Sequence, residues 1–165
     1  MSNTDCTFIG NPQIHLATLD DVPAVASLLY DSFVEFRSSY TDAAFAATTP
    51  AREQLLQRMK EGPIWIALQD RALLGTVSAV SRKQEVYVRG MAVSPAARGF
   101  GLGKLLLNAV EEFALTQGHK RLVLSTTPFL SAAIRLYEHW GFQRTSDGPH
   151  ELYGTPLFTM VKHLR

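Results

Sequence analysis

The sequence contains very little cysteine and no surplus of either charge. Its single cysteine, Cys6, cannot form an intramolecular disulfide, so the fold does not require an oxidising compartment. Lysine and arginine number 16 and acidic residues 15, which leaves a formal net charge of +1. A chain with this balance has no broad positive field, which argues against nucleic acid and anionic membranes as partners.

Long apolar runs, internal repeats and metal-ligand spacings are also missing. No stretch approaches the roughly 18 apolar residues that a membrane-spanning helix needs, and the opening residues lack the basic and then apolar order of a secretory signal. The five histidines are scattered, so no metal site is predicted. These observations predict a soluble cytoplasmic protein with no membrane partner.

What is present suits one globular domain. The 165 residues are 46% hydrophobic and 19% charged, enough to bury one core. We predict a flexible segment over residues 1–12 and a single domain over residues 13–165. Apolar residues alternate between strand and helix spacing along the chain, which predicts a mixed fold of the α/β (α+β) class.

Turn residues and apolar spacing predict about seven strands and about four helices. Strands are expected at 14–17, 64–69, 73–80, 85–93, 121–126, 142–145 and 157–163. Helices are expected from residue 18 or 20 to residue 36, and at 50–60, 101–116 and 129–140. In the third helix, the residues predicted to face water are Lys104, Asn108, Glu111 and Glu112.

A glycine-rich turn between a strand and a helix carries the clearest chemical signal. Residues 93–104 read Val-Ser-Pro-Ala-Ala-Arg-Gly-Phe-Gly-Leu-Gly-Lys, with three glycines in alternation. Glycine lets the backbone approach a ligand closely, and the N–H groups at a helix start favour an anion. The turn therefore predicts a phosphate site.

Three phosphate-binding patterns compete for this turn. A Rossmann fingerprint needs glycine where Lys104 stands, and a Walker loop needs glycine, and then Ser or Thr, where Arg98 and Leu105 stand. The spacing Arg98-Gly99-x-Gly101-x-Gly103 instead resembles the Arg/Gln-x-x-Gly-x-Gly/Ala signature of the GNAT superfamily of acetyl-CoA-dependent N-acyltransferases. The approach Met91-Ala92-Val93-Ser94-Pro95 and the later Ala133-x-x-Leu136-Tyr137-x-x-x-Gly141-Phe142 are similar to that superfamily as well.

The resemblance covers about residues 14–165 and implies a GNAT-like mixed, mostly antiparallel sheet that is splayed between its fourth and fifth strands. Acetyl-CoA would be the cosubstrate, with its pantetheine arm in the gap beside the backbone of Met91, Ala92 and Val93. The pyrophosphate would lie on Arg98, Gly99, Phe100, Gly101, Leu102, Gly103 and Lys104. Many relatives have asparagine where Leu130 stands, and Ser131 is expected to replace part of that contact.

The resemblance also implies catalytic residues. Tyr137 would be the general acid toward the CoA thiolate, since a phenol with a pKa of about 10 is protonated at neutral pH. Core packing is the alternative role for Tyr137, which lies on an apolar helical stripe. Tyr87 stands where relatives carry a glutamate, so Glu85 is the candidate base, and a solvated edge charge is its alternative.

The implied function is acetyl transfer to a primary amine within a ternary complex, with no acetylated intermediate, because Cys6 lies outside the cofactor motifs. The acceptor stays open among a protein N-terminus, a lysine, a polyamine, an amino acid and an antibiotic, and a homodimer also stays open. We expect acceptor contacts from residues 38–42, with His150 and Glu151 at the border. A non-catalytic acyl-CoA-binding regulatory module is the alternative function, whereas Lys104 argues against a nucleotide-dependent oxidoreductase.

Overall fold

The computed structural model describes residues 11–165. Residues 1–10, which include Cys6 and most of the segment predicted to be flexible, lie outside the described residues. The strands are β1 Gln13–Leu16, β2 Ile64–Gln69, β3 Ala72–Arg82, β4 Glu85–Val93, β5 Arg121–Thr126, β6 Gln143–Arg144, β7 His150–Leu152 and β8 Thr155–His163. The α-helices are α1 Val22–Phe33, α2 Asp42–Thr48, α3 Arg52–Glu61, α4 Leu102–Thr116 and α5 Ser131–Trp140. No helix within residues 11–165 is both long and apolar enough to cross a membrane.

One mixed sheet organises the chain. Its strand order is β1-β2-β3-β4-β5-β8-β6, and β7 pairs with β8. Short turns join β2 to β3 and β3 to β4, so these neighbours are antiparallel. The connection from β4 to β5 runs through α4, and a crossover of this kind makes the two strands parallel. The mostly antiparallel sheet predicted from the sequence is therefore confirmed.

The fourth and fifth strands part soon after they meet. Their parallel pairing joins Glu85 to Arg121, Val86 to Leu122 and Tyr87 to Val123, and it extends no further along the described strands. The rest of β4 keeps its antiparallel partner β3 on the other side. A gap therefore opens beside the carboxyl-terminal half of β4, which confirms the predicted splay.

A bulge near the middle of β4 exchanges the two faces of the strand. Thr76 of β3 pairs with Ala92, but Ser78 pairs with Arg89, so two β4 residues stand opposite one β3 residue. Gly90 lies in this bulge with φ +60°, a backbone conformation that favours glycine. Before the bulge Val88 packs in the core beneath α4, whereas after it Ala92 packs on the opposite face with α1 and α3.

Two hydrophobic cores lie on opposite faces of the sheet. The larger one includes Leu106 and Val110 of α4 and Leu122 of β5, all fully buried. The smaller one joins α1 and α3 to β2 through residues such as Leu29 and Leu55. A third cluster, formed by Tyr40, Ala44 and Phe45, packs around α2.

The structure contains eight strands and five α-helices within residues 11–165, where the sequence predicted about seven and about four. Helix α1 ends at Phe33, and residues Val34–Ser39 form a 3-10 helix instead of its last turn. The predicted loop 38–42 runs into α2, for which Thr41 is the N-cap and accepts from the Ala44 amide at 3.2 Å. Strand β7 was not predicted, and it shares a two-residue turn with β8.

Glu111 does not simply face water, and this prediction was wrong. Its Oε2 accepts from Trp140 Nε1 and from Lys162 Nζ, each at 2.7 Å. The Lys162 ammonium also lies 4.9 Å from the centre of the Trp140 ring. Because only 22% of the Glu111 side chain is exposed, this carboxylate links α4 to α5 and β8 in a partly buried network.

We predict that Glu111→Ala destabilises the fold. It leaves a half-buried ammonium and an indole N–H without their acceptor, which costs about 1–3 kcal/mol. Glu112→Ala is the matched control, since its neighbour contact to Asn108 is exposed, and it should change stability by less than about 0.5 kcal/mol. Urea denaturation of both variants measures the difference, and equal midpoints would contradict the network.

Candidate active site

The parting of β4 and β5 opens a cleft of about 930 Å³. Its walls come from the end of β4, the glycine turn, the first residues of α4 and α5, the end of β5 and the segment from α1 to α2. This volume is within the range of small-molecule and cofactor sites, which is roughly 300–1,000 Å³. The cleft is therefore the candidate active site.

Glycine occupies the three positions of the turn for two different physical reasons. Gly99 and Gly101 have φ +87° and +82°, and a Cβ atom at either would meet nothing within 4 Å. They shape the backbone before α4 and leave it open to a ligand. Gly103 lies inside the helix, where a Cβ would be 2.5 Å from Leu136 Cδ2. It therefore lets α4 pack closely on α5, a role that the sequence pattern did not separate from anion binding.

Most of the predicted cofactor contacts line the cleft. Met91, Ala92, Val93, Arg98, Gly99, Gly101, Leu102, Gly103, Lys104 and Ser131 do so. Phe100 is outside the lining, and its side chain is 54% exposed. Of the predicted acceptor-side residues, Tyr40 lines the cleft, whereas His150 and Glu151 do not and the next residue, Leu152, does.

The Arg98 guanidinium is held by the protein itself. It donates to Glu35 Oε1 at 2.5 Å, to the Ser32 carbonyl at 3.1 Å and to the Val93 carbonyl at 3.4 Å. These bonds tie the glycine turn to the end of α1. The side chain therefore orients the turn, and the donors that this segment offers to an anion are chiefly its backbone amides.

Tyr137 both packs in the core and borders the cleft. The residue is 8% exposed and lies edge-on to Phe142, with ring centres 5.8 Å apart. Burial, and to a lesser extent the nearby Tyr40 phenol, raises the pKa of Tyr137 to about 12. The phenol is therefore protonated at neutral pH and can donate a hydrogen bond into the cleft.

Beside Tyr137 lies a group of hydroxyls from Tyr40, Thr48 and Thr127, of which the sequence singled out only Tyr40, as an acceptor contact within residues 38–42. Burial raises the pKa of Tyr40, and the hydroxyls of Thr127 and Thr48 are close enough to lower it in part. Thr127 Oγ1 is nevertheless without a hydrogen bond of normal geometry to any described residue. The helix predicted at 129–140 starts just after Thr127, and nothing in that apolar pattern indicates that this hydroxyl lines the cleft.

Two arginines on the wall beyond Tyr40 were also missed. Arg89 of β4 forms an ion pair with Glu61 of α3, with 2.5 Å between Nη2 and Oε2. Arg58 of α3 donates to the Ala47 carbonyl at 3.1 Å. Burial, followed by the charge of Arg89, lowers the pKa of Arg58. The one available signal was Arg89 itself, a charged residue in the interior of a mostly apolar strand.

Glu85 lies outside the cleft. It occupies the first position of β4, where Arg121 Nε donates to its Oε2 at 2.7 Å. The role of general base suggested for it therefore has no geometric support. Among the described residues, the lining contains no Asp, Glu or His, and its charged members are Arg58, Arg89, Arg98, Lys104 and Arg135.

Comparisons with known proteins agree on one family. Residues 23–142 match the sequence model of the Acetyltransferase (GNAT) family. An uncharacterized N-acetyltransferase of Escherichia coli, YjgM, is 31% identical over 144 residues, which are 81% of this chain and 83% of that protein. N-acetylaspartate synthetase of Danio rerio is 34% identical over 123 residues, 73% of this chain. The aligned part is only 43% of that synthetase, so the chain spans less than half of its length.

Solved structures share the fold at lower sequence identity. The PaiA N-acetyltransferase of Thermoplasma acidophilum, in complex with coenzyme A, superposes with a TM-score of 0.80 and is 16% identical, covering 94% of this chain and 100% of that one. YncA of Salmonella typhimurium, a protein solved with acetyl-CoA, has a TM-score of 0.73 at 23% identity, with 94% and 95% covered. These two structures support the architecture of the sheet and helices.

The raised pKa of Tyr137 predicts sensitivity to alkali. In the unfolded chain the phenol ionises near its ordinary pKa of about 10, so between pH 10 and 12 the unfolded state loses this proton first. Stability that is present below pH 10 is therefore lost as the pH rises toward 12. Tyr137→Phe should reduce this loss, and Tyr153→Phe, at a 67% exposed tyrosine, should not. Urea midpoints at pH 9 and 11 measure the effect, and identical pH dependence in all three proteins would contradict the burial of this phenol.

Proposed function

The chain belongs to the GNAT family of acetyltransferases, and we propose that it transfers an acetyl group from acetyl-CoA to the primary amine of a small molecule or peptide. The observation that carries this proposal is the glycine turn, which starts α4 at the mouth of the cleft between β4 and β5. A backbone with open amides and a parted sheet edge suits a long ligand that ends in phosphates.

Acetyl-CoA offers a matching group for each part of the cleft. Its pyrophosphate would accept from backbone amides between Gly99 and Lys104, with the Lys104 ammonium nearby. Its pantetheine amides would pair with the edge of β4 that has no strand partner after Tyr87. The fold relatives solved with coenzyme A and with acetyl-CoA support this choice of cosubstrate.

Transfer would occur directly between the two substrates. The amine nitrogen attacks the thioester carbonyl carbon, the new C–N bond forms, the C–S bond breaks and CoA leaves as a thiolate. The nitrogen releases its surplus proton to water as the amide forms. Cys6 is the only cysteine of the chain, so residues 11–165 provide no thiol that could carry the acetyl group. A ternary complex of protein, acetyl-CoA and amine therefore fits the residues that line the cleft.

Tyr137 would act on the departing sulfur. Its pKa of about 12 is above the value of about 8.5 for an ordinary alkyl thiol, so complete proton transfer to the thiolate is uphill. The phenol would therefore act mainly by donating a hydrogen bond as negative charge develops on sulfur, and solvent would supply the final proton. This keeps the general-acid position predicted from the sequence but changes the expected extent of proton transfer.

The amine needs to lose a proton, and the described cleft residues provide no carboxylate or imidazole to take it. We propose that the amine reacts after losing its proton to water. The name N-acetylaspartate synthetase, carried by a relative matched over part of its length, keeps an amino acid among the candidate acceptors.

The first test concerns the glycine turn. Gly101→Glu should weaken binding of acetyl-CoA at least about tenfold, because the carboxylate repels the pyrophosphate. Gly101→Asn is the control, since asparagine tolerates the left-handed conformation of this residue and adds no charge. Calorimetry with folded protein measures both, and wild-type affinity in the Glu variant would place the pyrophosphate elsewhere.

The second test separates catalysis from packing at Tyr137. Tyr137→Phe preserves the ring in the core but removes the donor, so acetyl-CoA affinity should stay unchanged while the single-turnover rate falls about a hundredfold. Thiol release after mixing the preformed acetyl-CoA complex with amine gives that rate. A wild-type rate in this variant would return Tyr137 to a packing role. Acetyl-CoA binding without thiol release from any amine would favour the non-catalytic binding module.

A further inference from the structure

We infer that the acceptor amine carries a carboxylate, and that Arg58 and Arg89 bind this carboxylate on the cleft wall. The inference rests on the proposed acetyl transfer and adds a substrate class to it. Both guanidinium groups line the cleft, and neither is needed to bind acetyl-CoA in the proposed transfer.

Arg89 has N–H donors for which no described residue supplies an acceptor. Its Nη2 donates to Glu61 Oε2, whereas its Nε is buried and has no hydrogen-bond partner among the described residues. Protein atoms enclose this Nε, so a carboxylate in the cleft would meet the other end of the guanidinium. Nη1 lies there, with two N–H donors and no hydrogen-bond partner among the described residues.

Arg58 adds a second cation next to the first. The bulge at Gly90 makes room for it, because a Cβ atom there would lie 3.1 Å from Arg58 Nη1. Arg58 uses its Nη2 on the Ala47 carbonyl, and each guanidinium has five N–H donors. Glu61 is the one carboxylate that pairs with these arginines within residues 11–165, so one positive charge is left over. Binding one carboxylate would neutralise this excess.

The position of the pair fits an acceptor better than CoA phosphates. Arg58 contacts Ala47 of α2, and the next residue, Thr48, lies beside the Tyr40 phenol. Tyr40 in turn is close enough to raise the pKa of Tyr137. A carboxylate on the arginine pair would therefore lie near the sulfur end of the cosubstrate, whereas Lys104 belongs to the glycine turn at the phosphate end.

A purely structural role explains only part of the pair. The bond from Arg58 to Ala47 closes the carboxyl-terminal end of α2, and the ion pair of Arg89 links β4 to α3. Neither contact needs a second guanidinium in the lining of the cleft, and neither uses Arg89 Nη1. Both features are accounted for if a carboxylate occupies this wall during turnover.

The test compares matched acceptors. Wild-type protein with saturating acetyl-CoA is offered amino acids, both α and ω, and the carboxamide of each, and thiol release is followed. We expect carboxylates to exceed their carboxamides at least tenfold in kcat/KM. The amine of an α-carboxamide is the less basic of the two, so such a preference cannot come from easier deprotonation.

Variants then assign the preference to the arginines. Arg89→Gln, made together with Glu61→Gln so that no carboxylate is left unpaired, should lower kcat/KM for carboxylates at least tenfold. The same double variant should change the carboxamides less than threefold and leave KM for acetyl-CoA unchanged. Arg52→Gln, at an exposed position of the same helix as Arg58, is the control and should behave as wild type.

The outcomes separate this inference from the proposed function. If amines release thiol but carboxylates have no advantage, or keep it in the double variant, the carboxylate site is overturned while acetyl transfer stands. If no amine releases thiol, the proposed transfer fails, and calorimetric titration of succinate into the CoA-saturated protein decides the site. Succinate binding that is lost in the double variant supports the site, and no binding to wild type overturns it.

Discussion

The separation of β4 from β5 after three residue pairs is the constraint on which the rest of the structure depends. A fully paired sheet would satisfy the backbone of β4 on both sides and leave no cleft. Because the strands part, one edge of β4 is open, and the first residues of α4 and α5 line the resulting cleft. The same separation exposes Tyr137, a core residue, along one side.

The motif-bearing part of this arrangement could be predicted from the sequence. Alternating glycines before an apolar helical stripe determine a local conformation, and Gly99 and Gly101 have the positive φ values that such a turn requires. The strands on either side were predicted for the same reason, since their apolar pattern is local. Tyr137 was placed by the resemblance of the segment Leu136-Tyr137-x-x-x-Gly141-Phe142 to the superfamily, and Gly141 does end α5 in the left-handed conformation.

The part of the cleft wall formed by Arg58 and Arg89 could not be predicted, because it depends on contacts that are distant in sequence. The bulge at Gly90 changes which face of β4 each later residue occupies, and one isolated glycine in a strand does not reveal this. Arg58 meets Arg89 only once α3 lies against that strand. Helix α2 was not predicted, and the expected loop 38–42 overlaps only its N-cap Thr41 and its first residue, Asp42.

The central claim is that acetyl-CoA lies along the open edge of β4 with its phosphates on the glycine turn. Amide hydrogen exchange with and without acetyl-CoA tests it most directly. We predict slower exchange at the gap-facing amides within residues 88–93 and at amides within 99–104, with no change in β1, which lies at the far edge of the sheet. Tight acetyl-CoA binding that leaves both of these segments unprotected would contradict the account.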